Sequence, residues 1–461
     1  MYLIGNGRLL TREPLRGNAL IEDGAVSVSG AKIAALGTTK ELREQFPEAE
    51  FIDAEGGVIM PGLINAHTHF YSSLMRGLSL PDFSPTCFYE ALSGRSWKLD
   101  ANLTYRDCAA AAYAAAAESI RCGVTTLFDH HASSADPAGT LLCIAGIVDE
   151  AGPNAVLSCE ISERCGFEAC SRGIEENTGF LDYTESYPNP RIKAMFGLHA
   201  VFTLGDLDLR CCTERNRGRT GFHIHVSESP VDRYVSMHNY KCSPVERLFR
   251  NGILGEKTIL AHCVDTNPKE LGIIRSTASN VVINPESNMS NGVGFAPVKD
   301  MLERGINVGL GTDGFTGDML ESARALICYL RQGTGLPNYG VKEAASILFE
   351  NNRRIASYYF GKDIGVIREG ARADIIILDH RPFTRFDAEN ADAHILFETS
   401  GHDCRMTMAS GRILMRDGRL TSLNEGELRG KVQASADALW KRMLRREDKD
   451  YLWYPSCRTL S

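Results

Sequence analysis

The sequence predicts an α/β fold: a (β/α)8 TIM-like barrel with a small composite β-sandwich domain built from both chain ends. Three observations carry this. Eight short apolar strands alternate with helix-like segments through the middle of the 461-residue chain. β-like runs with tight turns occupy both ends. Histidines and acidic residues recur at the C-terminal ends of the middle strands, the face on which βα barrels build their sites. An open doubly wound sheet is the architectural alternative.

Residues 1–57 are read as the first part of the β-sandwich. Ala19–Ile21 and Ala25–Val28 flank Glu22-Asp23-Gly24, a short hairpin signal. Ala31–Leu36 and Glu50–Ile52 follow, with one short helix near Thr39–Phe46. Residues 58–362 are read as the barrel. Its strands are Val58–Ala66, Val124–Asp129, Ala155–Glu160, Ala194–His199, Phe222–Val226, Thr258–His262, Asn280–Asn284 and Asn307–Gly311. Thr104–Cys122, Pro137–Ala151, Pro297–Gly305 and Met319–Gln332 are among the helical segments between them. Residues 363–421 return to β character in Ala373–Leu378, His394–Glu398, Cys404–Ala409 and Arg412–Met415, with Ser410-Gly411 as a turn. Residues 422–461 are a C-terminal helix (Glu425–Arg446) and a tail with the aromatic run Tyr451–Tyr454. Two β-rich ends around a different middle are read as one domain, since chain termini often lie close together.

Composition sets limits on function. With 50 basic and 58 acidic residues the net charge is −8, and no dense Lys/Arg block is present. This argues against broad nucleic-acid binding. The start, MYLIGNGRLL, lacks the features of a signal peptide, and the apolar stretch Cys108–Ala117 is too short to span a bilayer. The 14 cysteines form no CxxC motif and read as reduced thiols. A cytoplasmic protein without a membrane partner is expected.

The chemistry-bearing residues follow one positional rule. His67 and His69 end the first middle strand, His130 and His131 the second, His199 the fourth, His223 and His225 the fifth, and His262 the sixth. Asp313 follows the eighth. Alternate residues on a strand share a side, so His67-Thr68-His69 can chelate one ion. His223-Ile224-His225 repeats the spacing, with His223 free to point elsewhere. Glu228, three residues on, can reach a metal-held water or start the next helix. His262 in ILAHCV fits a core histidine as well as a catalyst, and Asp313 in VGLGTDG fits a turn as well as a ligand. Taken together they place three His and one Asp on one face, with a Glu and a fourth His unspent. Such nitrogen and oxygen donors suit Zn²⁺, Fe²⁺ or Mn²⁺. A bound ion makes hydroxide available near neutral pH. Gly309–Gly314 is glycine-rich but lacks the lysine and spacing of a phosphate-binding loop.

These motifs resemble the amidohydrolase superfamily, in its metal-dependent deaminase and chlorohydrolase branch. PGLINAHTHFYSSLMRG, HIHVSES, ILAHCV, NPESNMSNGVG and GLGTDG occur in matching order across roughly residues 56–320, and GVIREGARADIIILD matches beyond them. Within that branch the likeness is greatest to the SsnA-type aminohydrolases. The resemblance implies one divalent metal ion, Zn²⁺ first and Fe²⁺ or Mn²⁺ as alternatives, held by His67, His69, His225 and Asp313. It implies that Glu228 shuttles protons, that His262 polarises the substrate or stabilises developing charge, and that His199 contacts substrate. It also implies a homo-oligomer. Two-metal relatives carry a carboxylated lysine on the fourth strand; here Lys193 sits at the start of KAMFGLHA, which favours a single ion. The Trp-Leu pair common after the first strand is absent from LPDFSPTCFYEALSGRSWKLD, and residues 80–95 are expected to shape the pocket without assigned contacts. His130 and His131 stay open between pocket shaping, support of ligating imidazoles and packing.

The expected activity is hydrolysis of a non-peptide carbon–nitrogen bond, foremost deamination of a purine-like nitrogen heterocycle. Asp313 accepts the water proton, Glu228 protonates the ring nitrogen and His262 stabilises the tetrahedral intermediate. Ring opening of a cyclic amide or ureide, or halide displacement, is the alternative at the same site. A non-catalytic barrel is the third reading.

Overall fold

The computed structural model describes residues 1–13, 20–81 and 83–445. The first strands are β1 (Tyr2–Leu10), β2 (Leu20–Ser29), β3 (Lys32–Thr38), β4 (Glu50–Asp53) and β5 (Val58–Pro61). The middle of the chain supplies β6 (Leu63–Thr68), β7 (Val124–His131), β8 (Asn154–Cys159), β9 (Ile192–Ala194) and β10 (Phe196–Ala200). It continues with β11 (Phe222–Val226), β12 (Ile259–His262), β13 (Asn280–Ile283) and β14 (Val308–Leu310). The last strands are β15 (Ile375–Leu378), β16 (Cys404–Ala409), β17 (Arg412–Arg416) and β18 (Arg419–Leu420).

Strands from both chain ends share one nine-stranded sheet, in the order β18-β17-β16-β15-β5-β1-β2-β3, with β4 beside β1. Its centre is the run Ile375-Ile376-Ile377-Leu378, fully buried on both faces, as expected of β-branched residues in a covered sheet. The middle strands are all parallel and form two groups, β6-β7-β8-β9 and β10-β11-β12-β13-β14.

Hydrogen bonds join these two groups at both margins. On one side Ile161 bridges Leu198 in parallel. There the buried Asn177 side chain accepts from Cys159 N and Gly197 N, both at 3.0 Å, and donates to Cys159 O at 2.8 Å. On the other side Thr312 N and Asp313 N donate to His67 O at 3.0 Å. The buried Asn352 accepts from Leu310 N at 2.8 Å and donates to Ile64 O at 2.7 Å and Leu310 O at 2.9 Å.

Several elements differ from the sequence expectation. Val58–Ala66 is two strands: Val58–Pro61 lies in the nine-stranded sheet, and the chain crosses to the parallel strands at Gly62. A Cβ on Gly62 would meet the Thr125 side chain at 2.2 Å, so only glycine permits the crossing. Glu22-Asp23-Gly24 is no turn but the interior of β2. Gly24 lies opposite Gly7 at a register shift, where a Cβ would meet Leu9 Cβ at 2.3 Å; close approach across the ladder, not turning, requires it. His394–Glu398 is helical, within Ala391–Glu398. Its buried positions Ala391, His394, Ile395 and Leu396 recur at helical spacing, which a five-residue window cannot reveal.

The helix Tyr105–Arg121 starts at a capping box, with Thr104 N donating to Asp107 Oδ2 at 2.8 Å. Its alanine-rich face lets the C-terminal helix Glu425–Arg445 pack on it. Trp440 Nε1 donates to Leu74 O at 2.8 Å and Ser435 Oγ to Asp107 Oδ1 at 2.6 Å. The aromatic run 451–454 lies outside the described residues. The described cysteines are free thiols, and no described helix is long and apolar enough to cross a membrane.

The two margin asparagines give a stability prediction. Asn177→Ala and Asn352→Ala each strand buried backbone groups and should cost about 2–3 kcal/mol. A lowered denaturant midpoint with retained far-ultraviolet dichroism is the expected readout; an unchanged midpoint would show that neither margin depends on these side chains.

Candidate metal centre

Four strand ends converge on one buried point. β6 ends beside His67 and leads to His69, β11 carries His225, β12 ends in His262, and Asp313 follows β14. His69 Nδ1 donates to His130 O at 2.5 Å, and His225 Nδ1 donates to His199 O at 2.7 Å. A carbonyl can only accept, so each neutral ring carries its lone pair on Nε2. Those two Nε2 atoms lie 3.2 Å apart. His67 Nδ1 is 2.8 Å from His223 Nε2, while His67 Nε2 is buried with no hydrogen-bond partner. Asp313 Oδ1 lies 3.0 Å from His69 Nε2 and 4.0 Å from His67 Nε2. Converging acceptors without an intervening donor are what a cation requires, and the donor set fits a divalent transition metal.

The proton-handling candidates lie against this point. His262 Nε2 is 3.6 Å from Glu228 Oε2 and 3.7 Å from Asp313 Oδ2. Its Nδ1 is 2.8 Å from Asn288 Oδ1, and Asn288 in turn donates to Tyr329 Oη at 3.2 Å. His262, Asp313 and Ser227, just after β11, all have left-handed backbone, at φ 75°, 54° and 48°. Such conformations are uncommon outside glycine and cluster where function constrains the chain. Burial, reinforced by the charge of Asp313, pushes the Glu228 carboxyl well above the usual carboxylate range. Burial opposes charge on Asp313 too, but where His69 also carries a proton on Nε2, its hydrogen bond and charge outweigh this and hold the carboxyl well below its ordinary value.

The expected residues therefore come together. His199 lines the adjoining cavity, with Nδ1 2.8 Å from Thr203 Oγ1. His223 does not point elsewhere: it faces inward and orients His67. His130 stacks on His223 at 4.4 Å and joins His67, His69 and His225 in one potential ligand group. His131 lies 3.1 Å from Ser133 Oγ and meets the Tyr71 ring edge-on at 6.1 Å. Lys193 donates to Asn189 O at 3.0 Å, at the start of the fourth strand region, on β9.

The cavity above the centre has about 780 Å³ of space, its open mouth included. Phe88, Leu92 and Arg95 from the 80–95 segment line it; Asp82 lies outside the described residues. Trp97 extends that wall and meets His199 edge-on at 5.9 Å. Sequence reasoning missed Glu160, just past β8. It is buried, 3.4 Å from His69 Nδ1 and 3.7 Å from His199 Nε2, and burial pushes its carboxyl up to about 8. Arg164 lies 4.0 Å from it and donates to Asp100 at 2.9 Å. The same positional rule marks Glu160, because the third strand also ends in a titratable residue.

Fold and site together define an α/β protein built around a histidine-rich metal-binding centre. The chain belongs to the amidohydrolase family, whose model matches residues 58–414. It is 32% identical over 452 residues to the 5'-deoxyadenosine deaminase of Methanosarcina mazei, covering 96% of this chain and 99% of that protein. It is 32% identical over 435 residues to the 5-methylthioadenosine/S-adenosylhomocysteine deaminase of Syntrophomonas wolfei, covering 92% and 96%. Its fold matches the crystal structure of a Xanthomonas campestris adenosine deaminase with bound zinc, at a TM-score of 0.85, 21% identity, and coverage of 95% and 98%.

The His223–His67 contact yields a prediction. His223→Phe keeps the ring volume but frees His67 to rotate, and metal affinity should fall about tenfold to a hundredfold. Competition with a chromophoric chelator measures it, and wild-type affinity would remove His223 from the support of the centre.

Proposed function

We propose that the protein is a zinc-dependent hydrolase that deaminates an adenine-type nucleoside, working at the mouth of a closed (β/α)8 barrel. The hydrogen bonds at both sheet margins and the fold match to a zinc-containing deaminase support the closed barrel. The relatives at 32% identity support the substrate class, since both are named as deaminases of adenosine derivatives changed at the 5′ position.

One observation carries the reading. Glu228 and Asp313 both line the cavity and both lie within 3.7 Å of the Nε2 of the buried His262. That arrangement supplies a proton donor, a charge stabiliser and a base around one point. His67, His69, His225 and Asp313 would hold the ion, which would make hydroxide available near neutral pH. Asp313 takes up the proton released from the attacking water through Oδ2. Glu228 delivers its proton to the ring nitrogen next to the amino-bearing carbon. Asp313 passes the proton it took up to the amino group, which leaves as ammonia, and the new hydroxyl returns its proton to Glu228 as it becomes the carbonyl. His262 in its doubly protonated form holds charge developing on the new oxygen through Nε2, with its Nδ1 proton directed at Asn288 Oδ1. Trp97 and His199 provide an aromatic wall suited to the flat base. Ring opening or halide displacement needs the same groups and differs only in the bond broken.

The test is ammonia release by the zinc-loaded protein from 5'-deoxyadenosine, 5'-methylthioadenosine and adenosine, with guanine and a chlorotriazine as comparators. Glu228→Gln should retain its zinc and lose turnover by about 10²–10⁴-fold. Full activity in that variant overturns the role of Glu228. Chloride or ring-opened product without ammonia overturns deamination.

A further inference from the structure

A second group of metal-ligating side chains lies in the segment between β15 and β16, and none of its members lines the cavity. His380 lies two residues beyond β15. His394 and Glu398 lie on the helix Ala391–Glu398 at a spacing of four, which places them on one face. Both histidines are only 6% exposed, whereas the Glu398 side chain is 49% exposed.

The hydrogen bonding fixes what the His394 ring presents. His394 Nε2 is 3.0 Å from Arg385 O. A carbonyl accepts only, so the proton of the neutral ring is on Nε2 and the lone pair is on Nδ1. That Nδ1 faces Glu398 Oε2 at 3.3 Å, and yet it is buried without a hydrogen-bond partner. His380 Nε2 is likewise buried and unpartnered, 3.7 Å from the same oxygen. The ligand atoms of all three residues lie within 4.8 Å of one another. Around a tetrahedral zinc ion, with bonds near 2.0–2.1 Å, neighbouring donor atoms are separated by about 3.3 Å. Phe386 packs against both rings, at 6.0 Å from His380 and 5.3 Å from His394, and walls the point off on one side. The half-exposed carboxylate leaves the other side open to an entering ion and a water ligand.

We propose that His380, His394 and Glu398 form a second divalent-metal site of the zinc class, which ties the end of β15 to the helix Ala391–Glu398. The site is structural. That helix's Leu396 carbonyl accepts from Arg324 Nε at 3.1 Å. Arg324 belongs to the helix Met319–Thr334, which follows the loop carrying Asp313. An ion at the second site holds the outer end of this packing chain without touching substrate.

The test uses tag-free full-length protein, stripped with a chelator and titrated with Co²⁺ and then Zn²⁺. Wild type is expected to take up two ions per chain, and His67→Ala is expected to keep the second-site ion. Glu398→Gln and His394→Gln should each weaken the second ion by about tenfold or more. They should also abolish the added rise in melting temperature that it gives, by mass action on the folded state. Uptake of a single ion by wild type would overturn the proposal. So would unchanged stoichiometry and affinity in Glu398→Gln. The surface position of Glu398 keeps that variant informative if His394→Gln does not fold.

Discussion

The centre is organised by lone pairs turned toward each other. His69 and His225 spend their Nδ1 protons on the carbonyls of His130 and His199, which leaves two Nε2 acceptors 3.2 Å apart in a buried place. Burying acceptors without a donor is costly, so the arrangement is stable only with a cation, or a proton, between them. The carbonyls that impose this come from the ends of neighbouring strands, β7 and β10. Strand register therefore sets ring orientation, and a shift of one residue would aim the histidines at the wrong face. The margin asparagines hold the same registers: Asn352 ties β14 to β6, and Asn177 ties β8 to β10. What looks like general scaffold bonding is part of the ligand geometry.

Most of the centre is legible in the sequence because the strands are short and parallel. Any residue at the C-terminal end of one reaches the same mouth, so a positional rule locates His67, His69, His225, His262 and Asp313 without knowledge of their contacts. The rule extends to Glu160, which ends the third strand as plainly as the histidines end theirs. The inward turn of His223 is also within its reach, since residues two apart on a strand share a side and His225 is already placed inside. What spacing cannot convey is the partner of a side chain. Nothing in the sequence tells that His223 meets His67, or that Trp97 meets His199, because those contacts join segments far apart in the chain.

The departures at the chain ends share a physical cause. Local flexibility suggests a turn at Gly24 and a break at Pro61-Gly62 within a single strand. Both are instead glycine because another part of the chain passes where a Cβ would be. A period of two over His394–Glu398 places His394 and Glu398 on one face for the wrong reason. The helix keeps them on one face, and it also brings them to His380, a meeting that no strand reading suggests.

The crossing at Gly62 couples the nine-stranded sheet directly to the metal centre. Gly62 alone separates β5 from β6, so the strand that carries His67 grows directly out of the sheet made by the chain ends. Gly62 N donates to Asp374 O at 2.9 Å. The buried carboxylate of Asp374 accepts from Asn154 Nδ2 at 3.0 Å, at the base of β8, and from Ser410 N at 2.6 Å. The base of β6 is thus anchored by residues of the C-terminal part of the nine-stranded sheet and by its neighbours among the parallel strands. Its top carries His67 and leads straight to His69, so any looseness at the base is passed along one short strand to both imidazoles. The sheet assembled from distant halves of the sequence thus holds the base of the first ligand strand.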